Sequence, residues 1–187
     1  TIVTVESFAS ILLIALATGV IFARFSRPRA QIRFSERAVI APYRGMTAFQ
    51  FRIANGRRSE LIEVEAKVIY TFQEDSGGSV TRQYHVLPLD RTRVTFSPLT
   101  WTIVHPIDQE SPLYGATDAD LAARHAEFLV LVSGVDETVS QVVHRRASYH
   151  AAEVTWGARF VSAFLPVDAG GRIRVDLRRL SDLERAI

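Results

Sequence analysis

Residues 7–23 carry no charged side chain, and Glu6 is the single charge among the first 23 positions. The run Phe8-Ala9-Ser10-Ile11-Leu12-Leu13-Ile14-Ala15-Leu16-Ala17 lies inside this segment. Wound as a helix, residues 1–23 rise about 1.5 Å each, roughly 35 Å in all, which exceeds a hydrocarbon core of about 30 Å. A signal peptide would carry its positive charge before the apolar run, whereas here Glu6 precedes it and Arg24 follows. A buried core helix fits the short uncharged stretch as well. The flanking charges favour a membrane-spanning helix whose C-terminal end faces the cytoplasm. Small residues (Ala9, Ser10, Ala15, Ala17, Thr18, Gly19) allow close helix approach in lipid. Ser10, Ile14, Thr18 and Phe22 recur every four positions, a stripe drifting about 40° per step. Two readings fit that spacing: a packing face, or the lining of a pore.

After Pro28 the pattern becomes extended. Phe49, Phe51 and Ile53 alternate with polar neighbours across residues 46–53, as in a half-buried strand. Asn55-Gly56 marks a turn. Residues 61–70 form a second long strand with Glu63, Glu65 and Lys67 on one face, closed by Gly77-Gly78. Further strands are expected at 101–107, 127–133, 139–145, 158–165 and 173–177, with breaks at Pro106, residues 134–137 and Gly170-Gly171. Thr117-Asp118-Ala119-Asp120 resembles a capping box and starts a short helix into Leu121-Ala122-Ala123. Many short strands with turn punctuation predict a mainly β chain, a β-sandwich behind one helix.

Charge sharpens this division. The net charge is only +2, but residues 24–37 hold five arginines against Glu36, while residues 38–187 hold 17 bases and 18 acids. A basic collar therefore separates an apolar head from a near-neutral body, a pattern that points to a membrane surface rather than nucleic acid. The absence of cysteine excludes a disulfide framework, a thiolate metal site and a cysteine nucleophile. No phosphate loop, nucleophile elbow or H-E-x-x-H is found. The histidines 85, 105, 125, 144 and 150 have no carboxylate at ligand spacing, so no catalytic residue, metal site or cofactor is expected. They read as surface or hydrogen-bonded histidines.

Ala23-Arg24-Phe25-Ser26-Arg27-Pro28-Arg29-Ala30, following an apolar helix, resembles the end of the inner helix of the prokaryotic branch of inward-rectifier potassium channels. Four further stretches agree in order: residues 51–58 (Phe51-Arg52-Ile53-Ala54-Asn55-Gly56-Arg57-Arg58), 101–115 (Trp101 through His105-Pro106-Ile107-Asp108 to Ser111-Pro112-Leu113-Tyr114-Gly115), 134–138 and 146–157. The resemblance covers nearly the whole chain. It implies an inner transmembrane helix over 1–26, a basic linker over 27–37 and an immunoglobulin-like β-sandwich cytoplasmic domain over 38–187. It implies a homotetrameric pore-forming subunit in the cell inner membrane, multi-pass in the complete protein, within the ion-transport and voltage-gated channel classes. Potassium would be the permeant ion, anionic lipids including phosphoinositide the modulators, and magnesium or polyamine the blockers. The family's G-Y-G filter does not occur here, so filter and outer helix are expected upstream.

Carried over position by position, Ile14, Thr18 and Phe22 match the pore-facing stripe, with Phe22 as the gate. Ile14 falls where strongly rectifying relatives place an acid, which an isoleucine cannot replace. Gly19 matches a hinge, since glycine weakens a helix by about 1 kcal/mol relative to alanine. Arg24, Arg27, Arg29 and Arg57 match a lipid-binding segment, each base adding roughly 1 kcal/mol of attraction to an anionic leaflet. Glu137 matches an acid on the cytoplasmic pore wall. The competing reading is a single-pass, membrane-anchored β-sandwich that binds a partner and conducts nothing.

Overall fold

The helix α1 (Ile2–Phe25) is one continuous element of 24 residues. Its stretch Val3–Phe22 has a mean hydropathy of 2.1, and none of it is buried against the rest of the chain. The hydroxyls of Ser7 and Ser10 donate to the carbonyls of Val3 and Glu6 at 2.9 and 2.8 Å. They are thus satisfied within the helix and carry no unmet polar demand into an apolar surrounding. The computed structural model describes residues 2–25, 31–56, 61–138, 140–167, 170–171 and 173–186.

Among the described residues, two five-stranded sheets and a small two-stranded one follow α1 in the chain. The first sheet is built on β3 (Met46–Asn55), paired along one edge with β7 (Thr100–Ile107). Its other edge is shared by β1 (Ile32–Phe34) and β2 (Ala38–Tyr43). Beyond β2 runs β10 (Val154–Trp156), the parallel member. The second sheet is built on β4 (Leu61–Ser76), flanked on one edge by β5 (Ser79–Leu87) and β6 (Arg93–Phe96). On its other edge come β8 (Glu127–Asp136) and then β9 (Gln141–His150). The third sheet pairs β11 (Ala158–Phe160) with β12 (Leu183–Arg185).

The alternation read from residues 46–53 does what it predicts: Phe49, Phe51 and Ile53 are buried and face the second sheet. Phe49 stacks on Phe128 of β8 with ring centres 4.1 Å apart, and Phe128 in turn lies 5.1 Å from Tyr70 of β4. Phe51 packs 5.5 Å from Tyr149 of β9. The Tyr149 hydroxyl donates to the Ser35 carbonyl at 2.9 Å, and burial pushes its pKa up to about 12. One apolar core therefore joins the two sheets. Full burial of side chains this size is worth roughly 1.5–3 kcal/mol each.

Two polar side chains, one buried and one half-buried, hold the loops to this frame. His105 on β7 is fully buried. Its Nδ1 lies 2.6 Å from the Pro88 carbonyl, which can only accept, and its Nε2 lies 2.8 Å from Ser111 Oγ. The neutral ring thus donates from Nδ1 and accepts the serine hydroxyl, while Ser111 Oγ accepts the Leu113 N–H at 3.2 Å. Burial lowers the His105 pKa, in keeping with that neutral form. The hydrogen-bonded histidine expected from sequence is found here. Arg52 on β3 is the second group: its guanidinium donates to the carbonyls of Val161 and Phe160 and lies 4.8 Å over the Phe160 ring. It ties the C-terminal segment across the outer face of the first sheet, and burial lowers its pKa.

The capping box forms as read. Asp120 N–H meets Thr117 Oγ1 and Thr117 N–H meets Asp120 Oδ2, starting α2 (Asp118–Ala123). Several strand boundaries differ. Strand β4 continues to Ser76, and β8 runs through Gly134 to Asp136, so residues 134–136 are strand rather than turn. Gly134 serves a close approach: a Cβ there would lie 3.2 Å from Val64 Cγ2, beside the bulge between Ile62 and Glu65. Residues 158–165 are strand only to Phe160, and 173–177 supply one isolated bridge, Phe164 to Val175. Of the hydrophobic residues there, Ala163 is buried, while Phe164, Leu165, Val167 and Ile173 are exposed. Strands β1, β2, β5, β6, β10 and β12 were not expected, and β1 falls within the stretch read as linker.

Candidate functional site

Along α1, Ile14 and Phe22 are about two-thirds or more exposed, as are Val3, Val5, Phe8, Ile11, Leu13 and Val20. Apolar surface of this extent on a water-exposed helix is unstable alone and belongs against lipid or other helices. Ile14, Thr18 and Phe22 follow one another at intervals of four residues, so Phe22 stands about 12 Å of rise beyond Ile14. Gly19 has no atom outside its own helix turn within 4 Å of a built Cβ. The helix therefore presents the whole proposed stripe, with no part of the β body in front of it.

The collar follows directly. Arg24 lies in the last turn of α1, while Arg27, Arg29 and Arg57 fall outside the described residues. Glu137 is exposed in the turn between β8 and β9. Asp136 just before it is buried at the end of β8 and accepts the Thr138 N–H at 3.0 Å. The two adjacent acids thus differ: Asp136 shapes the turn, and Glu137 projects from it.

Among the described residues no group of three His, Asp or Glu side chains converges as metal ligands. His144 and His150 are exposed on the outer face of β9. Sequence reasoning assigned no role to Arg52 or to the bulge between Ile62 and Glu65, and read His105 only as a surface or hydrogen-bonded histidine. The buried position of His105 in the alternation of β7 was the one available signal.

These features define a class: a membrane protein in which an apolar helix leads through a basic segment into a β-sandwich. Residues 32–186 match the family described as "Inward rectifier potassium channel C-terminal domain". The chain belongs to the inward-rectifier potassium channel family. It is 40% identical over 184 residues to inward rectifier potassium channel Kirbac3.1 of Paramagnetospirillum magnetotacticum, covering 98% of this chain and 62% of that protein. It is 32% identical to inward rectifier potassium channel 4 of Homo sapiens, over 84% of this chain and 37% of the other. To inward rectifier potassium channel irk-1 of Caenorhabditis elegans it is 27% identical, over 94% and 34%. The chain thus spans between about a third and three-fifths of these relatives. The family is one of channels, not enzymes. Voltage gating is not supported: none of these names carries it, and α1 holds only Glu6 and Arg24 as charges, too few for a voltage-sensing helix.

Proposed function

We propose that this chain provides the inner helix and cytoplasmic domain of a pore-forming subunit of an inward-rectifier potassium channel, acting as a homotetramer. The observation that carries this reading is the family match over residues 32–186 joined to an exposed, membrane-length helix. Four copies of α1 about an axis bring Ile14, Thr18 and Phe22 together as pore lining, with Gly19 as the hinge. Phe22 is the gate. The anchored binding module without conduction gains nothing from the family match. The test is barium-sensitive rubidium or potassium flux through the complete protein in liposomes. Absence of flux from correctly assembled tetramers overturns the reading.

Arg24, Arg27, Arg29 and Arg57 supply the contact with anionic lipid headgroups, where each base contributes about 1 kcal/mol. Changing Arg24, Arg27 and Arg29 together to glutamine removes about 3 kcal/mol of that attraction. Vesicle binding should then fall by roughly a hundredfold, with altered lipid sensitivity of flux. A triple variant whose flux answers anionic lipid as before reduces these residues to topology signals.

Glu137 is an acid of the cytoplasmic pore wall. Four copies around an axis focus a negative field that concentrates cations. Glu137→Gln should weaken cytoplasmic magnesium or polyamine block severalfold while leaving the tetramer intact. Block curves that superimpose on the parent's would leave Glu137 as a turn residue. Ile14 offers no charge to such blockers, so rectification through that position is weak.

A further inference from the structure

The outward side of the first sheet is covered only in part. Because Phe49 and Phe51 face the second sheet, Gln50 and Arg52 point the other way, and the register sets Gln50 beside Val104 and Arg52 beside Thr102. The C-terminal segment packs over Val39 and Ala41 of β2 and is tied down by Arg52. Beyond it a hollow of about 400 Å³ remains over Gln50, Thr102 and Val104, walled by Arg44 of the β2–β3 turn and by Asp90 and Arg91. Sites for small molecules run from roughly 300 to 1,000 Å³.

The walls are held in place. The Asp90 N–H donates to the Val104 carbonyl at 2.9 Å. Its carboxylate accepts the Tyr43 hydroxyl at 2.9 Å and Arg44 Nη1 at 3.3 Å. Among the described residues Asp90 is the one acid lining the hollow, and it is already engaged. Arg91 and the half-buried Gln50 amide also line it, yet neither side chain makes a hydrogen bond or ion pair within the described residues. The groups left over are donors: the Arg91 fork, the Gln50 amide and the remaining N–H groups of Arg44.

We propose that this hollow binds a small soluble oxyanion, a phosphate- or carboxylate-bearing solute, with Arg91 as its principal contact and Gln50 and Arg44 beside it. A guanidinium meets phosphate or carboxylate oxygens through paired charge-assisted bonds, roughly twice as strong as neutral ones. Walls fixed in advance lower the ordering cost of binding. A lipid headgroup is the rival source of the same chemistry. The first strand after α1 pairs through Ile32 with Asn55, at the opposite end of β3 from the Tyr43–Met46 turn. The 10 residues of β3 span about 30 Å, so the hollow, bounded by that turn, opens to solute rather than to headgroups. The proposal stands apart from the channel reading, since binding is read without flux.

The test titrates inorganic pyrophosphate, and separately citrate, into the complete protein in detergent, by calorimetry at fixed ionic strength without divalent cations. At least one anion should bind at a single site per chain, and Arg91→Gln should weaken it about tenfold or more. Arg91→Lys keeps the charge but loses the fork and should recover only part of that loss. Gln50→Leu should weaken binding severalfold. Arg145→Gln, which alters an exposed arginine of β9, should bind as the parent does. No heat from either anion overturns the proposal, as does an affinity that Arg91→Gln leaves unchanged or that Arg145→Gln lowers equally. Arg91→Gln protein that loses affinity for vesicles bearing phosphorylated inositol lipid, while pyrophosphate and citrate titrate as before, assigns the arginine to headgroups and overturns it too.

Discussion

Phe22→Ala raises basal potassium flux through the complete channel in the closed condition. On the proposed geometry four Phe22 rings converge at the cytoplasmic end of the helices, just before Arg24. An apolar ring of that kind excludes ions by dewetting, with no plug needed. Alanine widens and wets the constriction, and lowering the barrier by about 1.4 kcal/mol suffices for a tenfold rise. Phe25 is the comparison. On that same reading it follows Arg24 at the depth where aromatic residues anchor helices to headgroups, so Phe25→Ala should change stability or seating and leave leak low. Flux separates the two variants in liposomes. An unchanged closed-state leak in Phe22→Ala, or a tetramer structure with the ring turned from the axis, sinks the gate.

Phe128→Ala should cost the β domain about 3–5 kcal/mol, the usual range for emptying an aromatic core position. Phe128 has no exposure and stacks on Phe49 from the facing sheet and Tyr70 from its own strand pair. Its loss opens the junction between the sheets, which rigid strands cannot close. For a domain of this size each kcal/mol shifts the melting temperature by about 2–4 °C. The fall should therefore be on the order of 10 °C in a detergent melt. Phe96→Ala is the control, because Phe96 is 73% exposed and surface changes stay within about 0.5 kcal/mol. Equal melting temperatures for the two variants would show that Phe128 does not join the sheets.

Local pattern determined a good deal of this protein. The uncharged run before Arg24 specified α1, because a membrane-length helix is set by consecutive apolar residues and flanking charge alone. The two-residue alternation at Phe49, Phe51 and Ile53 specified β3 and which of its faces is buried. Thr117 and Asp120 specified the start of α2 through bonds three residues apart. Five stretches in order, 23–30, 51–58, 101–115, 134–138 and 146–157, carried the resemblance to the family, with 101–115 the most specific.

Tertiary structure decided what depends on residues distant in the chain. Gly134 reads locally as a turn, yet β8 runs through it, paired with Val143 of β9 and lying so close to the bulge in β4 that a Cβ would sit tightly, 3.2 Å from Val64 Cγ2. Residues 158–165 and 173–177 have strand composition, yet only Ala158–Phe160 pairs at length, with Leu183–Arg185, and Phe164 and Val175 meet in a single bridge. Arg52 is an ordinary arginine in an alternating strand until the C-terminal segment crosses over it. His105 becomes a buried lock only when Pro88 and Ser111 arrive from separate loops. The apolar face at Ile69, Leu129 and Leu131 likewise exists only once β5, β4, β8 and β9 lie side by side. Helices and caps are closed by bonds within a few residues and so are written in local sequence, whereas ladders and bulges are closed by partners that only the folded chain brings within reach.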